Sequence, residues 1–274
     1  MTAGRRVLAA AVLTIVAVPV AAQQPRLING RLETHAVTGG LLRDFQAVVA
    51  HLAEPTWIGY AAPVAESDNF MCDGSYNVRY SSTTAPVHLE PSTLFFVLYR
   101  VEQGQVVRIR SYSEDCPLDA GGKAVHWFPG VTAADSLALL GTLITPTATN
   151  RVADGSVSAI AMHAGAPALD TLVGLARDNA SPKVRGQALF WLGQRAGQKA
   201  VGTITAAMDQ DPDTEVKKKA VFALSQLPQD QGVPLLIQAA RTNKNPAVRK
   251  QAMFWLGQSK DPRALKFFEE ILQP

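Results

Sequence analysis

Aromatic residues are scarce in this 274-residue chain, at 7%, and cysteine is scarcer still, with only Cys72 and Cys116. Neither cysteine sits in a Cys-x-x-Cys pair or beside a histidine, so the sequence carries no dithiol redox motif and no reactive-thiol motif. The five histidines, His35, His51, His88, His126 and His163, never fall at His-x-x-His or His-Glu-x-x-His spacing. No helical metal motif is therefore written in the chain, and no metal and no cofactor are expected. Gly-x-Ser-x-Gly and Gly-x-Gly-x-x-Gly are absent, and Gly121-Gly122-Lys123 lacks the earlier glycine of a phosphate-binding loop. A large excess of one charge sign is missing too: the formal net charge of +3 includes Arg5 and Arg6 near the amino terminus, which argues against nucleic acid as a partner. These absences remove the commonest signatures of catalysis and point away from an enzyme.

Long apolar runs are almost lacking. The exception runs from Val7 to about Val20, behind Arg5-Arg6 and ahead of the small residues Ala21-Ala22. It is shorter than the roughly 20 residues a spanning helix needs, and it predicts a secretory signal peptide over residues 1–22, with no stable transmembrane segment after cleavage. The mature chain is then exported, periplasmic or extracellular. In such an oxidising compartment the two cysteines have one intramolecular pairing open to them, so a Cys72–Cys116 disulfide is expected.

Residues 23–131 read as a small α+β module with an antiparallel sheet. A helix is predicted from Leu41 to Leu52, and strands at Trp57–Ala61, Thr93–Val101, Gln105–Tyr112 and Ala124–Phe128, the middle pair turned by Glu102-Gln103-Gly104. Asn69 to Glu90 reads as loop. Glu114, Asp115 and Asp119 beside paired glycines do not match the spacing of a calcium-binding loop. Trp57, Tyr60 and Trp127 either pack the core or line a pocket for a small ligand or glycan. This module resembles no identifiable family.

The second half repeats itself. Val184-Arg185-Gly186-Gln187-Ala188-Leu189-Phe190-Trp191-Leu192-Gly193-Gln194 returns nearly verbatim from Val248 to Gln258, with a third copy from Val216 to Gln226 midway, so the period is 32 residues. A degenerate copy covers Thr149 to Met162. A further helix recurs at the same period through Leu137, Leu169, Val201, Val233 and Leu265. Ser181, Asp213 and Asn245 supply N-caps, and Pro182 and Pro246 stand at the first helical position. Helix pairs this short are stable only when stacked, and residues 132–274 are predicted to form an all-α solenoid of about five first helices and four second helices.

The entry of a cap, two residues, then Val and a basic residue at Ser181–Arg185, Asp213–Lys217 and Asn245–Arg249, followed by Ala-x-x-x-Leu-Gly, resembles the HEAT-like repeats, in particular the short lyase-type form. The resemblance covers about residues 132–274. It implies that the second helix of each pair lines the concave face, and that Arg185, Lys217 and Arg249 pack toward the neighbouring repeat. Together these readings make the chain an interaction scaffold that binds another protein or peptide through the solenoid. An enzyme or chromophore-handling subunit is the alternative that the lyase-type resemblance implies.

On a helical wheel Val184, Ala188, Trp191 and Leu192 face the core, while Gln187, Phe190 and Gln194 share another side. The next copies place Lys219, Phe222 and Gln226 there, then Gln251, Phe254 and Gln258. This ladder is the candidate partner-binding surface. Its phenylalanines either contact the partner or fill the seams between repeats.

Overall fold

The computed structural model describes residues 24–65, 72, 92–195 and 197–273. The expected signal peptide and nearly all of the expected loop from Asn69 to Glu90 lie outside them. No helix among the described residues is long and apolar enough to cross a membrane.

A sheet-containing module comes first. Its elements are β1 (Leu27–Thr34), α1 (Leu41–His51), β2 (Thr56–Pro63), β3 (Leu94–Glu102), β4 (Gln105–Ser113) and β5 (Leu118–Trp127). The strands join in the order β1-β5-β2-β3-β4. Pairing is antiparallel only along β2-β3-β4, whereas β5 runs parallel to both of its neighbours, so the sheet is mixed rather than antiparallel. The residue pattern marks no strand before Trp57 because β1 is an edge strand with little buried surface and Asn29-Gly30 at its centre, which leaves no apolar alternation to detect.

Alternation along β2 and β3 sorts the sheet into two faces. Ile58, Tyr60, Ala62, Phe95, Val97, Tyr99 and Val101 point to the face covered by α1 and the first solenoid helices, while Ala61, Phe96, Leu98, Val125 and Trp127 point to the other. Over that second face lies the Cys72–Cys116 disulfide, with Cα atoms 5.3 Å apart. The two faces also decide the aromatic question. Tyr60 and Trp127 are fully buried on opposite sides of the sheet, and Trp57 lies half-buried under Arg100, so the three line no common pocket.

Nine helices follow among the described residues: α2 (Ala133–Thr142), α3 (Asn150–Met162), α4 (Ala166–Asp178), α5 (Pro182–Arg195), α6 (Val201–Gln210), α7 (Thr214–Ser225), α8 (Gln229–Thr242), α9 (Pro246–Gln258) and α10 (Pro262–Leu272). Their starts are chemically defined. Thr132 accepts from the Asp135 N–H, Asp213 from those of Glu215 and Val216, and Asn245 from that of Ala247. The turns repeat as well: Asn179, Asp211 and Asn243 each accept, through the side chain, the N–H two residues on. On α10, Leu265, Ile271 and Leu272 stay exposed.

The sheet and the helices share one core, because α3 docks directly on β4. Gly155 allows this approach: a Cβ there would stand 2.7 Å from the Ile109 carbonyl oxygen. A buried polar chain crosses the same junction. His163 Nδ1 lies 2.7 Å from the Ala159 carbonyl and must donate to it, which leaves Nε2 to accept from Ser136 Oγ at 2.8 Å. Ser136 in turn accepts from the Tyr60 hydroxyl at 2.7 Å, and Tyr60 from that of Tyr99 at 2.5 Å. Every proton in the series points the same way only if His163 is neutral, and burial does push its pKa down to about 4. Ser136, Tyr60, Tyr99 and His163 are all shielded from solvent, so this hydroxyl–imidazole series serves cohesion and meets no substrate.

Candidate functional site

The second helices of the array, α3, α5, α7 and α9, pack on one another more closely than the first helices do. Gly193 shows how closely, since a Cβ there would lie 2.8 Å from both Cα and the carbonyl oxygen of Ala223 on α7. The first-helix side is looser. Between α6 and α8 a groove of about 570 Å³ opens, lined among others by Thr205, Met208, Asp209, Leu235 and Gln238. The tight row is thus the inner side of the stack.

Along that inner row the structure brings several ladder positions together across successive repeats. The Phe190 and Phe222 rings stack nearly parallel, 5.7 Å between centroids and 3° between planes. Gln194 Nε2 donates to Gln226 Oε1 at 2.9 Å. Gln187 Nε2 donates to the Asp154 carbonyl at 3.3 Å, beside a 2.8 Å ion pair from Lys183 to the Asp154 carboxylate. Lys219 lays its aliphatic stem over Gly186, which has no side chain to obstruct it. These homologous contacts, one period apart, lock each repeat to the next.

The ladder does not close at its last rung. Phe222 meets Trp255 edge-on at 5.1 Å instead of stacking on Phe254, and the Phe254 ring, tilted against Trp255, remains 53% exposed. Gln251 and Gln258 flank it on α9, and neither side chain makes a hydrogen bond among the described residues. Positions that the sequence treats as equivalent therefore differ in their partners. Gln187, Phe190, Gln194, Lys219, Phe222 and Gln226 contact neighbouring repeats, Gln194, Lys219 and Gln226 while still exposed. Half-buried Gln251 and exposed Gln258, in contrast, make no side-chain hydrogen bond among the described residues, and Phe254 is exposed.

The basic residues after the repeated valine also diverge. Arg185 reaches the following repeat, where its guanidinium clasps Asp211 bidentately at 2.7 and 2.9 Å and also caps the Asn179 carbonyl. The Asp211 hydrogen bond raises the Arg185 pKa; burial works against the Asp211 charge, yet Arg185 and the Asp213 N–H hold its carboxyl below the usual range. Arg249 and Lys217 instead bind carbonyls just upstream, Arg249 those of Asn243 and Lys244 and Lys217 that of Asp209. The position equivalent to Asp211 is neutral Asn243 for Lys217, so there is no carboxylate one repeat on to draw it forward.

A family model described as HEAT repeats matches residues 169–232 and 203–274. Residues 169–274 are HEAT repeats. No curated protein matches the sequence. Among solved structures, that of the Escherichia coli protein YibA, a structural-genomics target, is 22% identical, with 51% of this chain and 54% of that chain covered and a TM-score of 0.37. The chain thus spans about half the length of that protein. The repeats account for the contacts along the inner row as a stacking device.

One cluster outside the array has no linear motif. Glu33, His35 and His126 bring one ligand atom each to within 4.8 Å of one another. His35 Nε2 is 2.9 Å from His126 Nδ1, and Glu33 Oε2 is 3.4 Å from the same nitrogen. Register explains the meeting: Glu33 and His126 are directly paired across β1 and β5, and His35 lies two residues on, hence on the same face. Arg31 bonds the other Glu33 oxygen at 2.8 Å and holds that carboxyl below its ordinary value, while burial lowers the pKa of His126. The only linear signal is Glu-x-His, which carries meaning only once both residues are known to lie on a strand. Of the three carboxylates Glu114, Asp115 and Asp119, by contrast, Glu114 and Asp115 accept from Thr93 and Ser92 just before β3, and Asp119 accepts from Gly121 in its own turn.

Proposed function

We propose that the protein is an exported, non-enzymatic interaction scaffold that binds another protein or peptide on the second-helix face of its HEAT array, at the carboxy-terminal rung formed by Gln251, Phe254 and Gln258. One observation carries this reading. Phe254 is 53% exposed on the row where its counterparts Phe190 and Phe222 are covered by each other and by Trp255. A large ring flanked by two amides that bond no other described residue through their side chains offers an anchor and backbone-directed hydrogen bonds to an extended chain. Export is supported by the basic-then-apolar segment over residues 1–22 and by the disulfide, which suits an oxidising compartment.

The test is site-specific photocrosslinking in the native host, with the probe at position 254 and, as a control, at exposed Gln46 on α1. A partner crosslinked from 254 and not from 46 is expected. Phe254→Ala and Gln251→Ala should each leave folding intact, and Phe254→Ala should weaken capture about tenfold or more, as truncation of an aromatic anchor does. Capture that is unchanged by both substitutions would remove this surface from consideration. The chromophore-handling alternative rests on the repeat resemblance alone, and visible absorbance of the purified protein would favour it.

A further inference from the structure

We propose that Glu33, His35 and His126 form a binding site for one divalent transition-metal ion of the zinc class, open on its fourth side. Two neutral imidazoles and a carboxylate are the ligand set such ions take when three positions come from protein and the fourth from water. The spacing matches as well. Ligand atoms bonded at about 2.0–2.1 Å to a tetrahedral ion stand roughly 3.3–3.4 Å apart. Here His126 Nδ1 is 3.4 Å from Glu33 Oε2 and 2.9 Å from His35 Nε2, and all three ligand atoms lie within 4.8 Å of one another, so side-chain adjustments alone bring the set to that spacing.

The surroundings hold these atoms in place. The β1–β5 ladder fixes Glu33 opposite His126, and the His35 N–H binds the Trp127 carbonyl at 2.8 Å, which ties the third ligand to the same strand pair. The His35 ring packs against Phe128 at 5.6 Å between centroids. Arg31, bonded to the second Glu33 oxygen, is an outer-shell partner that orients the carboxylate. His126 is buried while Glu33 and His35 are partly open, so an ion can enter from the β1 side and retain water there. In the ion's absence the His35–His126 hydrogen bond keeps the two rings together, which makes the site largely preorganised rather than assembled by the metal.

The experiment uses the tag-free mature chain after dialysis against a chelator. Zinc titrated by calorimetry should bind at one ion per chain, and cobalt(II) should give the visible absorption of a four-coordinate complex. His126→Ala can disturb the buried strand pair, so the decisive variants are the more open His35→Ala and Glu33→Gln. Each should weaken zinc by more than the 10- to 100-fold typical of losing an outer-shell partner, with far-ultraviolet circular dichroism unchanged. Arg31→Gln should fall within that smaller range, and His51→Ala, at an exposed histidine on α1, should have no effect. Absence of stoichiometric zinc binding, or binding that survives both His35→Ala and Glu33→Gln, would overturn the proposal.

Discussion

At the scale of the residue, His163 is the side chain whose role the geometry defines most sharply. It sits 2% exposed at the end of a one-way series of hydroxyl donors, Tyr99 to Tyr60 to Ser136, and its own Nδ1–H is taken by Ala159. Protonating Nε2 would reverse the series and compel a charge to sit among Phe95, Tyr60 and Tyr99. With a folded pKa of about 4 against roughly 6.5 in the unfolded chain, the unfolded state binds more protons between these values. The stabilisation is therefore complete above about pH 6.5 and is lost as pH falls toward 4, amounting to about 3 kcal/mol from this group. Urea denaturation at pH 7.5 and 4.5 should show that loss, and His163→Asn should flatten it. A variant with the same pH slope as the parent would assign the loss to other groups. His163 also shows what a sequence withholds. As a letter it was one histidine among five, and neither its burial nor its partner Ser136, 27 positions upstream, leaves any local pattern.

At the scale of the element, the HEAT period makes each helix a natural control for the next. Gly193 on α5 and Gly257 on α9 occupy the same place in their repeats, yet a Cβ at Gly193 would meet the Ala223 backbone at 2.8 Å while one at Gly257 would meet nothing within 4 Å. Gly193→Ala should therefore destabilise the protein by about 1–3 kcal/mol, since the obstruction is backbone and cannot swing aside. Gly257→Ala should be neutral or stabilising by up to about 1 kcal/mol through helix propensity. Chemical denaturation of the two variants checks both signs, and equal effects would mean that the α5–α7 contact is not the constraint. The same logic explains how much of the array was legible. Period, caps and core positions such as Val184, Ala188 and Leu192 repeat, and repetition is visible in letters. What differs between copies is the neighbour: Phe190 has Phe222 to stack on, Phe254 has no further repeat among the described residues, and the sequence writes both as Phe. The sheet was legible where apolar residues are dense, in β2 and β3, and where β4 returns along β3 after a tight turn, and not in β1, whose exposure erases the pattern. With β1 unseen, the pairing of Glu33 with His126 was out of reach.

At the scale of the whole molecule, the decisive feature is that the core does not stop at the boundary between sheet and solenoid. Buried residues run without interruption from Leu41 and Tyr99 through Val157 and Leu192 to Phe267. The junction is stitched by backbone bonds too, from Ala65 N–H to Met162 and from Ala164 N–H to Pro63. Long solenoids lose cooperativity because each repeat touches only its neighbours, but here the first pair of helices is also the cover of a β-sheet. The two halves should therefore unfold as one. Thermal melting followed by helical circular dichroism and by hydrogen exchange of the β3 amides should give coincident midpoints. Gly155→Ala, which forces a Cβ against the Ile109 backbone where α3 meets β4, should lower both together, by about 2–4 °C per kcal/mol lost. Separate midpoints, or a shift confined to one probe, would mean that the array merely leans on the sheet. Coincident ones would mean that an event on the sheet, such as metal binding at Glu33, His35 and His126, raises the stability of the helices carrying Phe254, because any ligand held by the folded state alone stabilises everything that unfolds with it.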